Sequence, residues 1–141
     1  DEKYYDFFSM ESGSSIFEEQ TNYPRVVKKL KSSLLYNELP PEIKNTNTNL
    51  IKFDVQGAEL KIMSGLKNLI DNFEVIIVEV SLHKYNKDSP LFYDVINFMK
   101  NKSFVLYDIY DLKRLGDKDS YLLQFDCVFL REDSNLLKVK F

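Results

Sequence analysis

From Leu50 onward the chain alternates short apolar runs with amphipathic stretches, and that alternation predicts its elements. Leu50-Ile51-Lys52-Phe53-Asp54-Val55 reads as a strand that ends in Gln56-Gly57. Ala58 to Asp71 follows as a helix, with Ile62, Met63, Leu66, Leu69 and Ile70 on one face. Val75-Ile76-Ile77-Val78 is continuously apolar, the pattern of a strand covered on both sides. Asn49–Leu82 is therefore predicted to be a strand–turn–helix–strand unit. Ser89 is the expected N-cap of a second helix, with Pro90 at its first helical position. That helix places Phe92, Val95, Ile96 and Met99 at i, i+3, i+4 and i+7. Phe104–Ile109 reads as a third strand and Leu122–Leu130 as a fourth.

Before Leu50 the pattern is weaker. Residues 3–9 look like a strand, and Ser12-Gly13-Ser14-Ser15 like a turn. A short strand near Pro24–Leu30 and a helical turn near Ser32–Glu38 follow. Pro40-Pro41 is expected to stop regular structure, and Asn45–Asn49 to be a polar connector. No internal repeat is seen, and residues 1–141 are expected to form a single domain.

Two strands joined by a helix of this length should be parallel, with a right-handed crossover. The third strand should extend the same sheet. No helix of comparable length separates it from the fourth, which is therefore expected to be antiparallel near an edge. The fold class expected is α/β, with a mostly parallel sheet and one reversed strand.

Composition narrows the functional classes. Apolar residues make up 44% of the chain and aromatics 14%, which excludes a disordered tail. The net charge of −3 argues against a nucleic-acid partner. Lys28, Lys29 and Lys31 read as a solvated face. The single cysteine, Cys127, cannot form an internal disulfide, which fits a reducing compartment. No run approaches the ~18 apolar residues of a membrane span, and no basic-then-apolar signal pattern is read at the start. A cytoplasmic protein without a membrane partner is expected. Asp1 is not an initiator, so the chain reads as beginning inside a larger domain.

In open α/β sheets ligands bind beyond the carboxyl ends of the strands. Asp54 ends the first predicted parallel strand and Glu79 the second, and neighbouring strands lie about 5 Å apart. The two acids could face one pocket, with Gln56, Glu59 and His83 a few residues further on. Gly57 suits a sharp strand-to-helix turn. Each residue also has a plainer reading. Asp54 could cap the turn, and Glu59 in the first helical turn complements the helix dipole. Glu79 is costly to bury unpaired after four apolar residues. His83, the sole histidine, could act as a base near neutral pH or be an ordinary loop residue. Asp126 reads as a paired structural acid. The spacing of Asp54, Glu59, Glu79 and His83 matches no metal signature, so no metal is expected. No Gly-x-Ser-x-Gly elbow, cysteine pair or phosphate loop is present.

Ile51-Lys52-Phe53-Asp54-Val55-Gln56-Gly57-Ala58-Glu59-Leu60, with Ser64-Gly65 beyond, closely resembles the signature of the FkbM family of methyltransferases. Val75 to Ser81, Pro90-Leu91-Phe92, Phe104–Ile109 and Phe125–Asp133 follow in family order, and Gly13–Ile16 resembles a weaker upstream element. The match covers most of residues 12–134. The resemblance implies methyl transfer from S-adenosylmethionine to a hydroxyl, often on a sugar or small-molecule acceptor. The fold it implies is the Rossmann-like class I methyltransferase sheet, mostly parallel with one antiparallel strand. It implies Asp54 as base, with His83 second; Asp54 and Gln56 beside the donor; and Gln56, Glu59 and Glu79 beside the acceptor. Family members hold the donor on a glycine-rich turn. Here no two of the four glycines lie within a turn of each other. The chain is therefore expected to be the C-terminal portion of the domain, its N-terminal donor-binding half missing, with an exposed edge that favours a homodimer. A non-catalytic remnant or interaction module and a metal-assisted hydrolase are the alternative readings.

Overall fold

The structure, a computed structural model, describes residues 3–10, 13–45 and 48–138. Two sheets account for its strands. β1 (Lys3–Ser9) and β2 (Val26–Ser32) pair antiparallel. β3 (Thr48–Phe53), β4 (Phe73–Ser81), β5 (Phe104–Leu115) and β6 (Tyr121–Arg131) form a four-stranded sheet in the order β3-β4-β6-β5.

The mostly parallel Rossmann-like sheet expected from the sequence is not what forms. β3 and β4 are the one parallel pair, and β4 with β6 and β5 with β6 are antiparallel. The reversed strand lies inside the sheet instead of near an edge. Two physical reasons explain this. Only the short Gly116–Ser120 turn joins β5 to β6, so the two strands can pair only as a hairpin. β6 is also the more apolar of the two, with Phe125, Cys127, Phe129 and Leu130 buried, whereas β5 carries Asp108, Asp111, Lys113 and Arg114. The apolar strand takes the interior place and the charged one the edge, where charges discourage pairing with another chain.

Short helices surround the strands: α1 (Leu35–Glu38), α2 (Pro41–Asn45), α3 (Glu59–Ser64) and α4 (Phe92–Lys100). Pro41 opens α2 rather than stopping structure, because a missing N–H costs nothing in a first turn. The helix expected over 58–71 is broken in two. α3 ends at Ser64, and a 3-10 helix runs from Lys67 to Asn72 with Lys67 left-handed at its start (φ 55°). The apolar face survives the break, since Met63, Leu66, Leu69 and Ile70 are all buried. α4 starts two residues later than Ser89-Pro90 indicated. The Leu91 N–H donates to Asp94 Oδ2 at 2.9 Å, while the Ser89 hydroxyl turns back to the Asn86 carbonyl. Ser12, Thr46 and Asn47 lie outside the described residues, so the turn at Ser12 and the connector are only partly covered.

The four-stranded sheet has two unlike faces. Ile76, Val78 and Val80 of β4 align with Phe129, Cys127 and Phe125 of β6. With Phe53, Met63, Leu66, Val95 and Met99 they form the core between sheet and helices. Burial pushes the Cys127 thiol up to about 12, so it stays protonated at neutral pH. The alternate residues, Val75, Ile77 and Glu79 of β4 against Leu130, Val128 and Asp126 of β6, occupy the opposite face.

Candidate functional site

The site starts from the turn between β3 and α3. Gln56 and Gly57 both adopt left-handed backbone (φ 52° and 96°), which lets the chain reverse between the end of β3 at Phe53 and the start of α3 at Glu59. Glu59, buried in the first turn of α3, turns back so that Oε1 accepts the N–H groups of Val55 and Gly57, each at 3.1 Å. Burial pushes its carboxyl above the usual carboxylate range, against the opposing pull of those backbone donors. Glu59 is thus spent on the turn. Gly57 is closely packed, because a Cβ there would lie 2.8 Å from the Ser89 Cβ.

The turn aims the Gln56 side chain at the carboxyl end of β4. Its Nε2 donates to Asp54 Oδ1 at 3.2 Å and to Glu79 Oε2 at 3.0 Å. Gln124 Nε2 donates to the same Glu79 oxygen at 3.0 Å and to the Tyr85 hydroxyl at 2.9 Å. With its oxygen occupied by Gln124, Tyr85 donates its own proton to Gln56 Oε1 at 2.8 Å. Burial, with the charge of Glu79, raises the Tyr85 pKa, so that proton is retained. Lys113 Nζ donates to the other Glu79 oxygen, and this bond holds Lys113 above its ordinary value. Every bond in the chain Gln124–Tyr85–Gln56–Asp54 therefore has a fixed direction, and it ends on the Asp54 carboxylate as acceptor.

The acids divide by environment. Glu79 is buried and has both oxygens taken. Asp54 is half exposed, with Lys52 Nζ 3.8 Å away as its ion-pair partner. Asp126 is buried and paired with Lys52 at 2.6 Å, as a structural acid should be. Lys52 reaches it from β3 across β4, and Lys113 reaches Glu79 from β5 across β6. The two lysine stems cross the open face of the sheet in opposite directions.

A cleft of about 940 Å³ opens above this network, between it and the β1–β2 pair. Gln56, Tyr85, Lys113 and Gln124 form one wall, and Glu19, Tyr23 and Arg25 lie opposite. Arg25 is braced by the carbonyls of Glu19 and Thr21. Asp54 reaches the cleft only through Gln56.

Of the residues singled out from sequence, the fold brings Asp54, Gln56 and Glu79 together. It turns Glu59 inward and leaves His83 exposed beside Tyr121, ring centroids 6.1 Å apart. Among the described residues no group of three or more His, Cys, Asp or Glu could hold a metal ion. Sequence reasoning missed Tyr85, Lys113 and Gln124. For Gln124 a signal existed: Gln124 and Asp126 alternate with Phe125, Cys127 and Phe129, marking a polar face on an apolar strand.

A mixed sheet with a parallel β3–β4 pair, and an acid–amide cluster beyond that pair's carboxyl ends, defines a small α/β protein. Residues 5–106 match the family described as the methyltransferase FkbM domain, and the chain belongs to that family. The matched residues begin earlier and end earlier than the 12–134 expected; Lys113, Gln124 and Asp126 lie beyond them. No curated protein and no solved structure matches the chain. No helix of the described residues is long and apolar enough to cross a membrane.

Proposed function

We propose that the chain serves methyl transfer to a hydroxyl oxygen of a small-molecule or glycan acceptor, with Asp54 taking the hydroxyl proton. The observation that carries this reading is the direction of the hydrogen-bond chain. Glu79, Tyr85 and Lys113 are each committed to a partner, whereas the Asp54 carboxylate that ends the chain is half exposed. A hydroxyl on the exposed side of Asp54, at the edge of the cleft past Gln56, would give its proton to that carboxylate as its oxygen is methylated. Gln56 holds the carboxylate in line, and Glu79 holds Gln56.

The expected donor is S-adenosylmethionine, which when bound supplies an electrophilic methyl group. The described residues do not fit the whole of it. Their left-handed glycines, Gly13, Gly57 and Gly116, are isolated from one another, and Gly57 is packed against Ser89 instead of lying open to a ligand. That same observation favours the second reading, a non-catalytic module that keeps the sheet. A homodimer through the outer edge of β3, the edge without the run of charges that β5 carries, and a cytoplasmic setting with a lone buried thiol accord with this reading.

Incubation with methyl-labelled S-adenosylmethionine and a panel of sugars and small alcohols tests the proposal. Label should enter a neutral product and be lost in Asp54→Ala. No labelled product with any acceptor would overturn methyl transfer in favour of the non-catalytic module.

A further inference from the structure

Gln56 is the hinge of the site, and its backbone is in a region that a residue with a side chain adopts only when its surroundings impose it. Two side chains converge on its carbonyl from opposite parts of the chain. Ser15 Oγ donates to Gln56 O at 2.7 Å, and Asn86 Nδ2 donates to the same oxygen at 3.0 Å. Both residues are buried. Their segments are tied to each other as well: Gln20 N–H donates to the Tyr85 carbonyl at 2.6 Å, and Lys87 N–H to the Glu18 carbonyl at 2.8 Å. The loop that follows β1 and the loop that follows β4 thus close together over the β3–α3 turn.

Asn86 is costly to keep for packing alone. Its Oδ1 is buried and has no hydrogen-bond partner. A buried acceptor left unsatisfied destabilises a fold, and such a group calls for a reason. The reason visible here is its Nδ2, which the orientation points at Gln56.

We propose that Ser15 and Asn86 are positioning residues that clamp the Gln56 carbonyl, hold the turn left-handed and so aim the Gln56 amide between Asp54 and Glu79. The role rests on the reading of Asp54 as the proton acceptor, but the clamp can be tested without it. If the carbonyl is released, the turn relaxes and the Gln56 side chain leaves both carboxylates. Glu79 keeps Lys113 and Gln124, so the sheet survives while Asp54 loses its orientation.

The test uses amide hydrogen exchange of the Gln56 side chain, followed by NMR in the full chain. In Ser15→Ala and in Asn86→Asp, which removes the donor at nearly constant shape, exchange of the Gln56 amide protons should quicken at least tenfold. The Gln124 amide protons should stay protected. Ser15→Thr, which keeps a hydroxyl, should restore the slow rate. Unchanged Gln56 exchange in folded Ser15→Ala overturns the clamp, and this variant decides the matter if Asn86→Asp fails to fold. Methyl transfer provides the second readout: Ser15→Ala should lower kcat with the acceptor KM unchanged. Fast exchange in Ser15→Ala while Asp54→Asn remains fully active would leave the clamp standing and remove the base reading.

Discussion

The two faces of the four-stranded sheet satisfy the same burial requirement in opposite ways. On one face Ile76, Val78, Cys127 and Phe129 are sealed by α3 and α4, and nothing polar intrudes. On the other, Glu79 and Asp126 sit opposite each other on adjacent strands, two carboxylates where like charges would repel. Each is neutralised by a lysine that reaches over an intervening strand, a span of about 10 Å at ordinary strand spacing. The apolar stems of Lys52 and Lys113 lie over the sheet while their ammonium ends stay half exposed. The difference teaches where function can sit. The sealed face supplies stability, and the ion-paired face presents charge at a fixed place beside a cleft.

The largest effect should come from the sealed face. Phe129→Ala removes a ring at the centre of the core and should cost about 3–5 kcal/mol, read from denaturant unfolding. On the open face Lys52→Met takes the counter-charge from the buried Asp126 carboxylate, which keeps its hydrogen bond from Tyr110, and should cost about 2 kcal/mol, reduced from the fully buried case because the lysine is half exposed. Adding Asp126→Val should recover most of that loss, since an apolar pair needs no counter-charge. A double variant no more stable than the single would mean the ion pair has a further role on this face.

At the rim, Glu59→Ala should cost about 2 kcal/mol because two backbone N–H groups lose their acceptor. Glu59→Gln keeps an oxygen there and should cost less. Burial raises the folded-state pKa of Glu59, so the folded chain holds the proton more tightly than the unfolded one. Its contribution is therefore present at low pH, and it is lost as pH rises from the unfolded carboxyl's range through the raised folded value. Unfolding curves across that window should slope downward for the native chain and be flatter for Glu59→Gln. The smallest effect on stability belongs to Asp54→Asn, within about 0.5 kcal/mol as expected for an exposed side chain, together with loss of methyl transfer. A large loss of stability there would blur the division between the two faces.

The Asn49–Leu82 unit was legible because short apolar runs before Gln56-Gly57 and from Val75 flank a stretch whose apolar residues recur at helical spacing. Asp54 and Glu79 were legible as rim acids for the same reason: a strand's end marks the rim wherever the strand lies in the sheet. The separation of their roles was not legible. Lys113 lies 34 residues and Gln124 45 residues beyond Glu79 in sequence, and both reach it only because β6 sits between β4 and β5. In one dimension His83 stood as second choice to Asp54 for the base, and Glu59 as a dipole partner placed beside the acceptor by the resemblance alone. A turn of α3 put the first acid against the backbone, and the loop after β4 carried the histidine outward.

Local sequence by itself did not settle the helix boundaries, but it was enough for the four strands from residue 48 onward, for the parallel run of β3 and β4, and for the acids and amide beyond their carboxyl ends. Those are consequences of side-chain period, turn chemistry and a helical connection. Tertiary structure decided the strand order, the crossing lysines, and which acid keeps an open face. Pairing is a competition among strands for interior places, won by total apolar burial. A carboxylate's partners come from whatever that competition places beside it.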